Sequence, residues 1–89
     1  MARAAKPYRH RFEVLRDESG AWCFVNADTQ PGKVVKVLAC KRDAVWWAAQ
    51  DLSYAWEQMH IRSELTIKRA DGTIQDKRTF GEDPRRTRG

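Results

Sequence analysis

Cysteine is scarce in this chain, with only Cys23 and Cys40 among 89 residues. Two thiols do not make the disulfide framework that staples small secreted domains. The expected setting is therefore reducing and cytoplasmic. No apolar run approaches the roughly 20 residues that span a bilayer, so no membrane contact is expected. The opening MARAAKPYRHR lacks the apolar centre of a secretory leader. No glycine-rich phosphate loop precedes the one helix-forming stretch. There are two histidines, His10 and His60, and neither has a metal-ligand spacing with a cysteine. Cys40 and His60 would stand at opposite ends of a helix about 27 Å long, too far apart for a nucleophile and its base. Asp71 and Asp76 lie on opposite sides of a hairpin tip and form no acid/base pair. A chain this short also has little room for a deep pocket. The expectation is a non-enzymatic protein with no metal and no cofactor.

Excess charge is also missing from the middle of the chain. The formal net charge is +5. Arg3, Lys6, Arg9 and Arg11 near the start, with Arg85, Arg86 and Arg88 set against Glu82 and Asp83 near the end, account for all of it. Residues 12–81 hold ten basic and ten acidic side chains and are neutral. A folded surface built to grip phosphates is usually basic itself. Basic tails add a weak, salt-sensitive attraction to polyanions. The expected organisation is a disordered tail over residues 1–7, one domain over 8–81 and a basic tail over 82–89.

What the chain does have is aromatic residues and one long amphipathic stretch. Four Trp, three Phe and two Tyr supply large buried areas for a small core. KRDAVWWAAQDLSYAWEQMH, residues 41–60, predicts a helix. Val45, Ala48, Ala49, Leu52, Ala55, Trp56 and Met59 recur on one face at three-and-four spacing. Cys40 stands at the N-cap, where Ser, Thr, Asp or Asn would serve better, and Asp43 sits at the acidic position of a capping box. A thiol there, beside Lys41 and Arg42, raises a thiol sensor as a minor reading. The bland alternative is a small apolar residue at a strand-to-helix junction.

Strands are expected on both sides of that helix. YRHRFEVLR alternates, with Tyr8, His10, Phe12 and Val14 on one face. Asp17-Glu18-Ser19-Gly20 reads as a turn, and AWCFVN as a central strand with apolar residues on both faces. Pro31-Gly32 marks a loop, and VVKVLA a third strand. Residues 64–70 and 73–80 read as a hairpin around Asp71-Gly72, taken as a two-residue type I′ turn. That register sets Ile67 opposite Asp76. It puts Leu65, Ile67, Ile74 and Phe80 on one face and Thr66, Lys68, Gln75, Lys77 and Thr79 on the other. The predicted fold is α+β in ββ(β)αββ order, one antiparallel sheet of four or five strands with a single long helix on one face.

The run from Arg69 to Pro84, RADGTIQDKRTFGEDP, resembles the ending of a family of small bacterial proteins, the DUF2188-type family, which closes on R-D-G-x-I-Q-x-x-R-x-Y-G-x-D-P. Gly20-Ala21-Trp22 is similar to its early G-x-W strand, and Cys40-Lys41-Arg42-Asp43-Ala44 to its T-K-x-E-A helix entry. The resemblance spans about residues 12–84 and is specific in the last third. It implies this fold and a bacterial or phage setting, and it implies no reaction. Gln75 and Arg78 are the matched polar positions, read as hairpin architecture. Cys40 departs from the family's Thr. Trp46 and Trp47 replace polar or small residues.

Those two tryptophans are the feature the core does not need. With Val45, Leu52 and Trp56 inward, Trp46 falls with Gln50, Ser53 and Glu57 on the outer side, and Trp47 on the flank with Asp51 and Tyr54. One reading has Trp47 cover the edge of the sheet and lays Trp46 flat on neighbouring side chains. The other makes Trp46, Trp47 and Gln50 contacts for a protein partner or a second copy of the chain. An alternative function is an accessory nucleic-acid-binding protein using Lys68 and Lys77 on the open sheet face with Arg85, Arg86 and Arg88.

Overall fold

A computed structural model describes residues 9–81. The expected tails, with Tyr8, Arg85, Arg86 and Arg88, lie outside the described residues. Three strands, a helix and two strands follow one another as β1 (His10–Arg16), β2 (Trp22–Asn26), β3 (Val34–Leu38), α1 (Lys41–Met59), β4 (Ser63–Lys68) and β5 (Ile74–Phe80). They form one five-stranded sheet in the order β3-β2-β1-β4-β5, packed against the helix on one face. The fold class is α+β, as the alternation of apolar residues predicts.

The sheet is mixed where an antiparallel one was expected. β1–β2, β2–β3 and β4–β5 are antiparallel, whereas the central β1–β4 pair is parallel, with Phe12 beside Leu65 and Val14 beside Ile67. The reason is directional. A three-strand meander leaves β3 running the same way as β1. The helix reverses the chain once, so β4 emerges parallel to both and can join β1 only in parallel.

Turn chemistry explains two of the three hairpins. The Gly20 N–H donates to the Asp17 carbonyl at 3.1 Å, and the Asp17 N–H to the Ala21 carbonyl at 2.9 Å. The β4–β5 tip repeats the pattern, with Gly72 N–H to Arg69 at 2.9 Å and Arg69 N–H to Thr73 at 2.8 Å. Each is a three-residue loop ending on a glycine with positive φ, +94° at Gly20 and +92° at Gly72. Asp71 does not take positive φ, so the two-residue type I′ turn expected there is replaced by this one. The extra loop residue is absorbed by a bulge at Ile67/Lys68. The predicted pair Ile67–Asp76 therefore holds, while the tip residue Ile74 moves opposite Lys68. Ile74 ends up half-exposed on the open face rather than on the helix face.

The core is built from period-two positions meeting a period-3.6 stripe. Val14, Phe24, Leu65 and Ile67 point at Ala44, Ala48 and Leu52 of the helix. Phe12, Trp22, Leu38, Val45 and Phe80 pack around them. Ala44 and Ala48, with no side chain past Cβ, are fully buried. The open face of the central β2 is apolar too. Cys23 and Val25 are buried there, aligned with Leu15 and Glu13 of β1 and with Val37 and Val34 of β3. Two helix positions differ from the expected face. Met59 is exposed in the last turn. Trp56 is half-buried and packs outside the central cluster, against Gly81 and beneath the Arg62 guanidinium at 5.5 Å.

Candidate functional site

Cys40 precedes the helix in extended conformation and makes no side-chain cap bond. The capping box suggested by Asp43 thus lacks its Cys40 half. The helix closes at His60, in left-handed conformation with φ +56°, whose N–H donates to the Trp56 carbonyl at 2.9 Å. Between these ends the stripe Ala44-Ala48-Leu52 is spent on the core. Whatever lies about half a turn away must face outward.

Trp46 lies there, and Trp47 on the adjoining flank. Trp46 is 58 % exposed and Trp47 41 %, with ring centroids 6.2 Å apart and planes at 88°. That edge-to-face geometry is a favoured aromatic contact. Gln50 is exposed one turn further on, and Tyr54 another turn beyond is 61 % exposed. The helix spacing makes these four side chains one continuous strip. Trp47 is anchored at one side: the Lys36 Nζ stands 4.3 Å over its ring. Lys36 reaches it because Phe24, its partner across the sheet, points to the helix face, and Lys36 shares that face. Sequence spacing alone pairs neither Lys36 nor β3 with the helix flank. The signal is the single polar residue inside Val34-Val35-Lys36-Val37-Leu38.

Of the predicted nucleic-acid contacts, Lys68 and Lys77 sit elsewhere and are paired, and Arg85, Arg86 and Arg88 lie outside the described residues. On the open face the Lys68 Nζ is 3.5 Å from the Glu13 carboxylate, and the Lys77 Nζ 3.6 Å from Glu64. Arg11 adds a 3.7 Å pair with Asp28. These surface pairs contribute little stability, but they neutralise the cations in place. Gln75 and Arg78, from the hairpin ending, are on β5 beside the first turn of α1. The Lys41 ammonium donates to the Gln75 amide oxygen, and Arg78 Nε is 3.3 Å from the Asp76 carboxylate.

Two of the perturbed ionisable groups, Asp17 and Asp71, belong to turns, and the third, Cys23, to β2. Asp17 Oδ1 accepts from the Ser19 hydroxyl at 2.7 Å and from the N–H groups of Ser19 and Ala21 at 2.9 and 3.0 Å. These bonds, the Ser19 hydroxyl first, hold its carboxyl below the usual range. Asp71 is lowered in the same way by the Thr73 N–H and hydroxyl. Burial pushes the Cys23 thiol up, and the Asp17 charge adds to it; its Sγ donates to Asp17 Oδ2 at 3.6 Å. Cys23 is a structural thiol, and Cys40 is the exposed one.

No helix among the described residues is long and apolar enough to cross a membrane. No family model, no curated protein and no solved structure matches this chain.

Proposed function

We propose that this chain is a small non-enzymatic interaction module whose contact surface is the strip Trp46, Trp47 and Gln50, and that its partner is a second copy of the chain. One observation carries the reading. Two adjacent tryptophans stand 58 % and 41 % exposed on a helix whose other side already fills the core. Packing inside the monomer does not account for their size. Burying one such ring across a symmetric contact is worth about 2 kcal/mol or more per copy, enough to shift association more than tenfold. In a two-fold contact the same strip serves both sides, and Gln50 supplies a donor and an acceptor at the rim.

Nucleic-acid binding through the open face draws less support, because Lys68 and Lys77 each face a carboxylate. Reduced cysteines favour a cytoplasmic setting, and the hairpin ending's resemblance to the DUF2188-type family favours a bacterial or phage one. An NMR dilution series tests the contact surface. Amide resonances of Trp46, Trp47, Gln50 and Tyr54 should move with protein concentration while those of Lys68 and Lys77 stay fixed. Movement confined to the open face, or none at all, would contradict the proposal.

A further inference from the structure

The sheet ends in two unlike edges, β5 on one side and β3 on the other. Each pairs with a single strand among the described residues, so each offers a row of backbone N–H and C=O groups to a further strand. β5 is guarded. Gln75, Asp76, Lys77 and Arg78 are all exposed along it, and charged side chains deter a second strand. β3 is not. Val34, Val35 and Val37 stand exposed there, and the one charge, Lys36, is turned onto the Trp47 ring. A bulge also blunts an edge, but the one in β3 lies toward its start. Lys36, Val37 and Leu38 keep regular register with Phe24, Cys23 and Trp22.

We infer that two copies of this chain join β3 to β3 in antiparallel fashion, making one continuous sheet, with the tryptophan strips meeting beside the join. The inference rests on the self-association proposed through Trp46 and Trp47, and gives it a geometry. Area is the first argument. Trp46, Trp47 and Tyr54 together expose roughly 400 Å², about half of the roughly 800 Å² that each partner of a stable pair buries. Place is the second. The Lys36 Nζ stands over the Trp47 ring, so the strip and the β3 edge are one continuous surface. Symmetry is the third. Two identical edges that pair antiparallel are related by a two-fold axis perpendicular to the sheet, which closes the pair and leaves both helices on the same side. Strands across such a join stand about 4.8 Å apart, so each Trp47, set beside its own β3, comes up against its counterpart. The register that sets the two Lys36 residues opposite each other is disfavoured, because it places like charges together.

The test is hydrogen exchange of the full chain, followed by NMR in dilute and in concentrated solution. The outward amides of β3 should exchange freely when dilute and about tenfold more slowly when concentrated, while those of β5 keep one rate. Val37→Lys, which guards β3 as β5 is guarded, should melt like the parent chain and weaken its self-association about tenfold or more. Ile74→Lys, the same change on β5, should leave association unchanged. If Trp46 and Trp47 amides shift with concentration while every β3 amide keeps its rate, the strip associates alone and the edge pairing is overturned. A Val37→Lys chain that associates as tightly as the parent overturns it too. If β3 amides gain protection while the strip stays silent, the edge pairing holds and the reading of the strip fails. No concentration dependence at either place overturns both.

Discussion

Gly81 shows how a single missing side chain sets a contact. Its φ is +88°, and a Cβ built there would stand 2.8 Å from Trp56 Cε3 and 3.0 Å from the Arg62 Cγ. The Trp56 ring therefore rests on bare backbone where β5 ends. Gly81→Ala combines an unfavourable φ with a clash and should cost about 2–4 kcal/mol. Gly72 has a similar φ and open space around it, so Gly72→Ala should cost about 1 kcal/mol. Urea midpoints of the two variants measure the difference, and equal midpoints would contradict the Trp56 contact. Asp17 and Asp71 act at the same scale through protons. Both carboxyls are held below the ordinary value of 3.8 in the folded chain. The stability they contribute is thus present above that value and lost as pH falls through the folded values. Asp17→Asn and Asp71→Asn should each flatten the acid side of a melting-temperature profile. A profile unchanged below about pH 4 would mean that the turn bonds do not form.

At the scale of elements, the helix divides its apolar residues between two depths. Leu52 is 2 % exposed at the centre of the core, whereas Trp56 is half-buried at its margin. Leu52→Ala should cost about 3–4 kcal/mol, and Trp56→Ala about 2 kcal/mol despite the larger side chain lost. Chemical denaturation of both variants checks the order, and the reverse order would place Trp56 in the core instead. The helix face was legible from Ala48 and Leu52 because period and burial coincide there. Met59 was not, because periodicity marks a face without marking where along the helix the sheet ends. Alternation alone groups Trp22 with Phe24 and Leu65 with Ile67, and in the structure both pairs pack on the helix side. Ile74 does not, because a bulge moves a residue across the sheet without any trace in the hydrophobic pattern. The parallel β1–β4 pair is a matter of counting: three strands before one helix force it.

For the whole molecule, the arrangement separates three surfaces. The helix side of the sheet is the core. The open face carries its charges as internal pairs between Glu13 and Lys68 and between Glu64 and Lys77. The outer helix carries Trp46, Trp47, Gln50 and Tyr54 to solvent. The outward place of Trp46 was legible in the sequence, from its position opposite the core stripe, whereas Trp47 falls on the flank, where exposure and cover of the sheet edge both stood open. The Lys36 contact that fixes Trp47 was not legible, because it depends on which face of β3 meets the helix. The account stands on the claim that this exposed strip is a contact surface and not part of the fold. Sedimentation velocity of the parent chain and of Trp46→Glu, each over a wide concentration range and each paired with a thermal melt, tests it most directly. The account predicts a parent chain whose sedimentation coefficient rises with concentration, and a variant that melts like the parent yet stays at the monomer value. A parent chain that remains monomeric throughout, or a Trp46→Glu variant that unfolds, would contradict it.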